Sequence, residues 1–221
     1  MLEPKIKIEE VEVTHPRLFP LPESVAPPPR VLVTSAFHPN AERSHNLNAA
    51  HEVGDVLQHL PFHVEVDIHP CITCEALPDM LRNASFAAWI HLSHGKQQRG
   101  LYEASLRRYA SKERWLASFR AYQKNLSLVL FSSCQSASVA ELFARSGVGV
   151  AIGFESNVLS VAPRILTEPV VRATILSGGA PDSIMRAYVS ACNQLAAKTI
   201  EEEGSDESYL DAGPIAYLSK P

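Results

Sequence analysis

Residues 126–154, LSLVLFSSCQSASVAELFARSGVGVAIGF, are the stretch whose reading decides the fold. Residues 126–131 are apolar but for one serine, the pattern of a strand buried on both faces of a parallel sheet. Ser132-Ser133-Cys134-Gln135-Ser136 leaves that strand, and Val139, Leu142 and Phe143 then recur at helical spacing. Gly147 ends the helix, and residues 148–154 read as the next strand. A cysteine where a core strand opens into a helix meets free N–H groups and a partial positive charge, both of which favour a thiolate. Cys134 is therefore the candidate nucleophile, provided a base stands beside it.

Working outward, RVLVTS at Arg30–Ser35 is a buried strand, followed by the loop Phe37-His38-Pro39-Asn40. Leu47, Ala50, Val53, Leu57 and Leu60 predict an amphipathic helix over 41–60, stopped by Pro61. Residues 62–68 alternate as a strand, 75–81 form a short helix, and AAWIHL at 87–92 is a third strand ending in Ser93-His94-Gly95. Strands alternating with helices predict an α/β fold, a mostly parallel sheet with helices on both faces. In such sheets the active groups gather at the carboxyl ends of the strands.

That rule pairs two residues. His94 follows the third strand and Cys134 the fourth; if these strands are neighbours, about 5 Å apart, their exit loops lie side by side. An imidazole there takes the thiol proton and returns it to a leaving amine. The N–H of Gly95, with that of Cys134, is positioned to form an oxyanion hole.

The remaining composition bounds the answer. With 221 residues, 46% of them hydrophobic, the chain can bury one full core. A net charge of −4 gives no overall basic footprint for nucleic acid. No apolar run of membrane-spanning length occurs, and MLEPKIKIEEVEV is not a signal peptide, so no membrane association is expected. Four cysteines do not make a disulfide scaffold, which predicts a cytoplasmic protein. Residues 1–29 read as a charged, Pro-rich arm, in which KIKIEEVEV could form an edge strand, and 30–221 as the compact domain.

His-Leu-Ser-His94-Gly95, followed some forty residues later by Leu-Val-Leu-Phe-Ser-Ser-Cys134-Gln-Ser-Ala, resembles the CHAT family of caspase-like cysteine peptidases. Gly147-Val148 with Ala151-Ile152-Gly153, then Ser177-Gly178-Gly179, then Gly213-Pro214-Ile215-Ala216-Tyr217-Leu218 follow in that family's order. The resemblance runs from about Arg30 to Leu218. It implies a caspase-like three-layer sandwich and a cysteine endopeptidase, with His94 as general base, Cys134 as nucleophile, and Gly95 and the Cys134 amide as oxyanion donors. It implies no metal or organic cofactor, a protein or peptide substrate, and an upstream sensor or regulatory protein, in regulated proteolysis such as bacterial defence or programmed cell death. Substrate would join the sheet edge near the strand after the nucleophile. Glu155 falls near the family's groove, where a carboxylate selects a basic side chain; otherwise it is a solvated loop residue. Phe37 and His38 are candidates for walling the same groove. One departure is Ser136, where caspases have glycine two residues past the cysteine.

Several features carry blander readings. Cys71-Ile72-Thr73-Cys74 has redox or metal spacing but no second pair to complete a zinc site, and reads as two loop thiols. Cys192 reads as core filler on a helix begun by Pro181, and His91 as a partly buried histidine with its hydrogen bonds satisfied. Arg99, Arg107, Arg108, Lys112, Arg114, Arg120 and Lys124 form a basic segment, a solvated face or a seat for an acidic partner. Residues 201–211 read as an acidic mobile loop. The alternative to a peptidase is a catalytically silent caspase-like docking module, with a thiol-redox protein built on Cys71 and Cys74 a third reading.

Overall fold

The computed structural model describes residues 7–11, 29–36, 64–70, 72–83, 85–96, 99–103, 108–120, 126–156, 161–201 and 213–219, with isolated positions at 54, 57, 58, 60 and 106. Most of the helix expected over 41–60 lies outside them, although Gly54, Leu57 and Gln58 are helical. Phe37, His38, Cys71 and the acidic stretch 202–212 also lie outside.

Ten strands are present: β1 (Lys7–Val11), β2 (Arg30–Ser35), β3 (Glu65–His69), β4 (Ala88–Leu92), β5 (Gly95–Lys96), β6 (Gly100–Glu103), β7 (Arg108–Ala110), β8 (Leu128–Ser132), β9 (Val150–Phe154) and β10 (Pro214–Ser219). Five helices with described bounds accompany them among the described residues: α1 (Leu77–Asn83), α2 (Lys112–Arg120), α3 (Ala137–Arg145), α4 (Val161–Leu176) and α5 (Pro181–Glu201). Seven strands form one sheet in the order β1-β10-β9-β8-β4-β2-β3. β9, β8, β4, β2 and β3 run parallel, whereas β10 is antiparallel to β9 and β1 is parallel to β10. The charged start of the chain is thus an outer strand of the protein's own sheet.

Each central strand is apolar on both sides because each side meets helices. Val31, Val33, Ala88, Ile90, Leu128, Leu130, Val150 and Ile152 face α4 and α5, through Leu166, Val170, Ile184, Tyr188 and Leu195. Trp89, Val129, Phe131 and Ala151 face the other layer, which holds α1, α2 and α3. Trp89 anchors that layer, with its ring centroid 6.2 Å from Trp115, 6.4 Å from Phe119 and 5.6 Å from both Phe131 and Phe143. Burying such aromatics dominates core energetics. The result is an α/β three-layer sandwich. Among the described residues, no helix is long and apolar enough to cross a membrane.

The chain goes from β2 outward to β3, then returns to place β4 on the other side of β2. This reversal puts a crevice at the carboxyl ends of β2 and β4, where α/β sheets place their ligands. His94 lies at that end.

Candidate active site

β4 and β8 are adjacent and parallel, with Leu92 opposite Ser132. The pairing continues past the strands, since the Ser93 N–H donates to Ser132 O (3.3 Å). The Ser93 and Ser133 hydroxyls, both buried, hydrogen bond at 2.7 Å. Ser93 immediately precedes His94 and Ser133 immediately precedes Cys134, so this pair clamps the two exit loops together.

One residue further on, the loops touch backbone to backbone. A Cβ on Gly95 would be driven into the Cys134 carbonyl oxygen and lie 3.1 Å from the Cys134 carbonyl carbon. Only glycine allows this approach. The Tyr102 N–H donates to His94 O (2.7 Å), making His94 and Tyr102 a hydrogen-bonded pair of the β5–β6 ribbon. Because such pairs alternate along antiparallel strands, the N–H of Gly95, opposite Leu101, points away from β6. That orientation suits an oxyanion donor.

Cys134 is half-buried at the turn that starts α3. Gln135 holds φ at +52°, the left-handed region that non-glycine residues seldom occupy and that costs about 1–3 kcal/mol. Three hydrogen bonds hold the turn. The Gln135 N–H donates to Ser156 O (2.9 Å). Ser136, fully buried, donates its hydroxyl to Ser133 O (2.7 Å) and accepts the Phe154 N–H (3.2 Å). Ser136 has φ −93°, so it occupies ordinary backbone and supplies a hydroxyl tie where caspases carry glycine. Gly153 gives room for this, since a Cβ there would lie 2.8 Å from the Ser136 carbonyl.

Glu155 is exposed at the end of β9, its N–H bonded to Gly213 O (3.0 Å), and its neighbour Ser156 holds Gln135. It therefore stands on the β9 side of Cys134. β9 is paired along its whole length to β10 and over Val150–Ile152 to β8, so β9 is not itself an outer strand of the sheet. Phe37 lies outside the described residues, so its position beside the groove is not part of this geometry.

A second, three-stranded sheet, β5-β6-β7, springs directly from His94, and sequence reading missed it. Its inner face carries Gly95, Leu101, Glu103 and Ala110, all buried. Its outer face carries His94, Lys96, Tyr102 and Tyr109, as strand alternation requires. The alternating runs Leu101-Tyr102-Glu103 and Arg108-Tyr109-Ala110 were the signal available. His94 and Tyr102 rings lie 6.4 Å apart, and Tyr102 and Tyr109 rings 5.1 Å apart.

Glu103 anchors this sheet. Fully buried, its carboxylate accepts the Cys74 N–H (2.6 Å) and Arg108 Nε (3.0 Å). Arg108 and Arg114 both pair with Glu75. The ligand atoms of Cys74, Glu75 and Glu103 converge within 4.8 Å, but the positive charge they meet comes from the two arginines. Burial pushes the Cys74 thiol far up, and hydrogen bonds to Glu103 and Glu75 push it further. That is the reverse of what a redox pair requires. Burial also works to raise the Glu75 carboxyl, but its backbone hydrogen bond, the Cys74 thiol, Arg114 and Arg108 together hold it below its usual range.

Two other residues are structural. Trp89 Nε1 donates to Thr34 Oγ1 (2.8 Å), which lies 2.8 Å from His91 Nδ1. His91 is fully rather than partly buried; its Nε2 has no hydrogen-bond partner among the described residues, and burial pushes its pKa down to about 3. Cys192 is buried in the core, its thiol raised to about 11 by burial.

The sequence matches no family model and no curated protein.

Proposed function

We propose that this chain is a cysteine endopeptidase of the caspase-like, CHAT type, working through His94 and Cys134. The observation that carries this reading is the clamp between the two exit loops. Ser93 bonded to Ser133, and Gly95 packed on the Cys134 backbone, hold a histidine and a cysteine at adjacent strand ends.

The chemistry follows from the roles. His94 takes the Cys134 proton as Sγ attacks the substrate carbonyl carbon. The oxyanion that forms is held by the N–H groups of Gly95 and Cys134, and the N-terminal end of α3 favours negative charge there. The imidazolium then protonates the amide nitrogen, the C–N bond breaks, and an acyl-thioester remains. Water, deprotonated by His94, releases the acid and regenerates the thiol. This sequence uses no metal or organic cofactor. Glu155, exposed on the β9 side, is the group for a basic side chain on the acyl side of the cut bond. The resemblance adds a cytoplasmic role in regulated proteolysis, such as bacterial defence or programmed cell death, under an upstream sensor.

The test uses the purified protein, Cys134→Ala and His94→Ala, with a peptide library varied at the acyl-side residue and with candidate protein substrates. Cleavage that disappears in both variants, with basic residues preferred, is the expected result. Cleavage unchanged in either variant removes the dyad. No cleavage by any form turns the reading to a docking module.

A further inference from the structure

Four cations on and around the small sheet between His94 and Cys134 fall into two pairs. Arg108 and Arg114 are consumed by Glu75 and Glu103, and hold the small sheet in place. Lys96 and Arg99 are exposed and paired with no carboxylate among the described residues. Lys96 Nζ lies 5.5 Å from the Tyr109 ring centre, a cation–π contact. The turn between β5 and β6 is closed by the Arg99 N–H on Lys96 O (2.9 Å), which keeps both cations at one end of the ribbon. Gly100, opposite Lys96, has φ +85°, and a Cβ there would run into the Ala110 carbonyl, so glycine is what lets β6 sit this close to β7.

The tyrosines link these cations to the dyad. Tyr102 lies near the His94 ring and packs at a 58° tilt against Tyr109, and both tyrosines are half-buried. Burial raises the Tyr109 phenol; negative charge on Tyr102 and on Cys134 raises it further, while Arg99 lowers it. Arg99 and Cys134 thus both lie close enough to Tyr109 to act on its phenol, with opposite signs.

The direction of the substrate follows from the proposed reaction. His94 must protonate the amide nitrogen, so the chain beyond the cut bond leaves on the imidazole side. On that side lies the outer face of β5–β7. On the opposite side of Cys134 stands Glu155, of opposite charge.

We propose that Tyr102, Tyr109, Lys96 and Arg99 form the leaving-group side of the substrate groove and select peptides with an acidic residue just after the cut bond. The tyrosines, tilted against each other, supply an aromatic wall for the peptide, and the two cations meet the carboxylate. Together with Glu155, they make a groove that reads a basic residue before the bond and an acidic one after it. This rests on the peptidase reading above.

The test separates the two claims with two kinds of substrate. Peptidyl-aminocoumarins carry no residue beyond the cut bond and report the dyad alone. Internally quenched peptides share one acyl side and carry Glu, Ala or Lys just after the bond. A single exposed ion pair is worth at most about fivefold, so two cations support a kcat/KM preference for Glu over Lys of about tenfold. That preference is expected to shrink with added salt. It should vanish or invert in the double variant Lys96→Glu/Arg99→Glu, the readout being the Glu-to-Lys ratio within each protein. Tyr109→Ala should lower the ratio while retaining its sign. Coumarin cleavage with a ratio near one, or a ratio unmoved by charge reversal, overturns the acidic preference and leaves the peptidase standing. Cleavage of neither substrate by wild type overturns both.

Discussion

Two histidine–cysteine settings in this molecule use the same residue types to opposite ends. At the end of β4 and β8, His94 and Cys134 sit on clamped loops, with Cys134 half-exposed at the start of a helix. Inside, His91 is sealed between Thr34 and the aromatic cluster, and Cys74 lies buried against Glu75 and Glu103. His91 and His94 are three residues apart on one strand and its exit loop. The difference teaches that solvent access and neighbouring groups, rather than residue type, set what a histidine or a cysteine is able to do.

The sharpest way to break that contrast is alkylation. Iodoacetamide at neutral pH should modify Cys134 about a thousandfold faster than Cys74 or Cys192, because buried thiols react only through local opening. Peptide mapping by mass spectrometry reads the three rates. Comparable rates at Cys74 and Cys134 would end the distinction.

The next largest effect is acid stability. His91 is neutral in the fold, with its pKa pushed from an ordinary value near 6.5 down to about 3. Below pH 6.5 the unfolded chain therefore binds a proton that the folded one refuses. Stability falls as pH drops from 6.5 toward 3, by up to about 4 kcal/mol for this group. Urea midpoints across that window should slope downward with acid, and His91→Gln should flatten the slope.

Gly95→Ala forces a methyl group onto the Cys134 backbone. It should cost about 2–3 kcal/mol of stability, and peptidase activity should fall about a hundredfold as the loops separate. Thermal melts and turnover measure the two losses. Ser136→Ala leaves the buried Phe154 N–H without its acceptor, at about 1–3 kcal/mol by denaturant midpoint. The smallest effect is that of Cys74→Ala, about 1 kcal/mol of stability with turnover at the wild-type rate.

Much of the working end was legible because it depends on local pattern. Apolar runs at residues 30–35, 87–92 and 126–131 marked buried strands, and the strand ends marked that the exit loops carrying His94 and Cys134 lie side by side. The interior contrast was not legible. Cys74, Glu75, Glu103 and Arg108 come together across separations of up to 34 positions, through strands only two to four residues long. Their charges hid the Leu101-Tyr102-Glu103 alternation, so a folded sheet read as a basic segment. α4 carries Pro163 and Pro169 and offered no clean helical run. β1 joins β10 from the far end of the chain, a pairing with no local signal. Nor does sequence show that Gln135 takes the left-handed turn, since glycine is the residue that usually announces one.

The most direct test of the central claim is covalent capture. A peptidyl acyloxymethyl ketone ending in arginine should label wild-type protein at Cys134 alone. His94→Ala, with an unchanged melting temperature, should remain unlabelled over the same interval. Equal labelling with and without His94, or a label found on Cys74 or Cys192, would contradict the account.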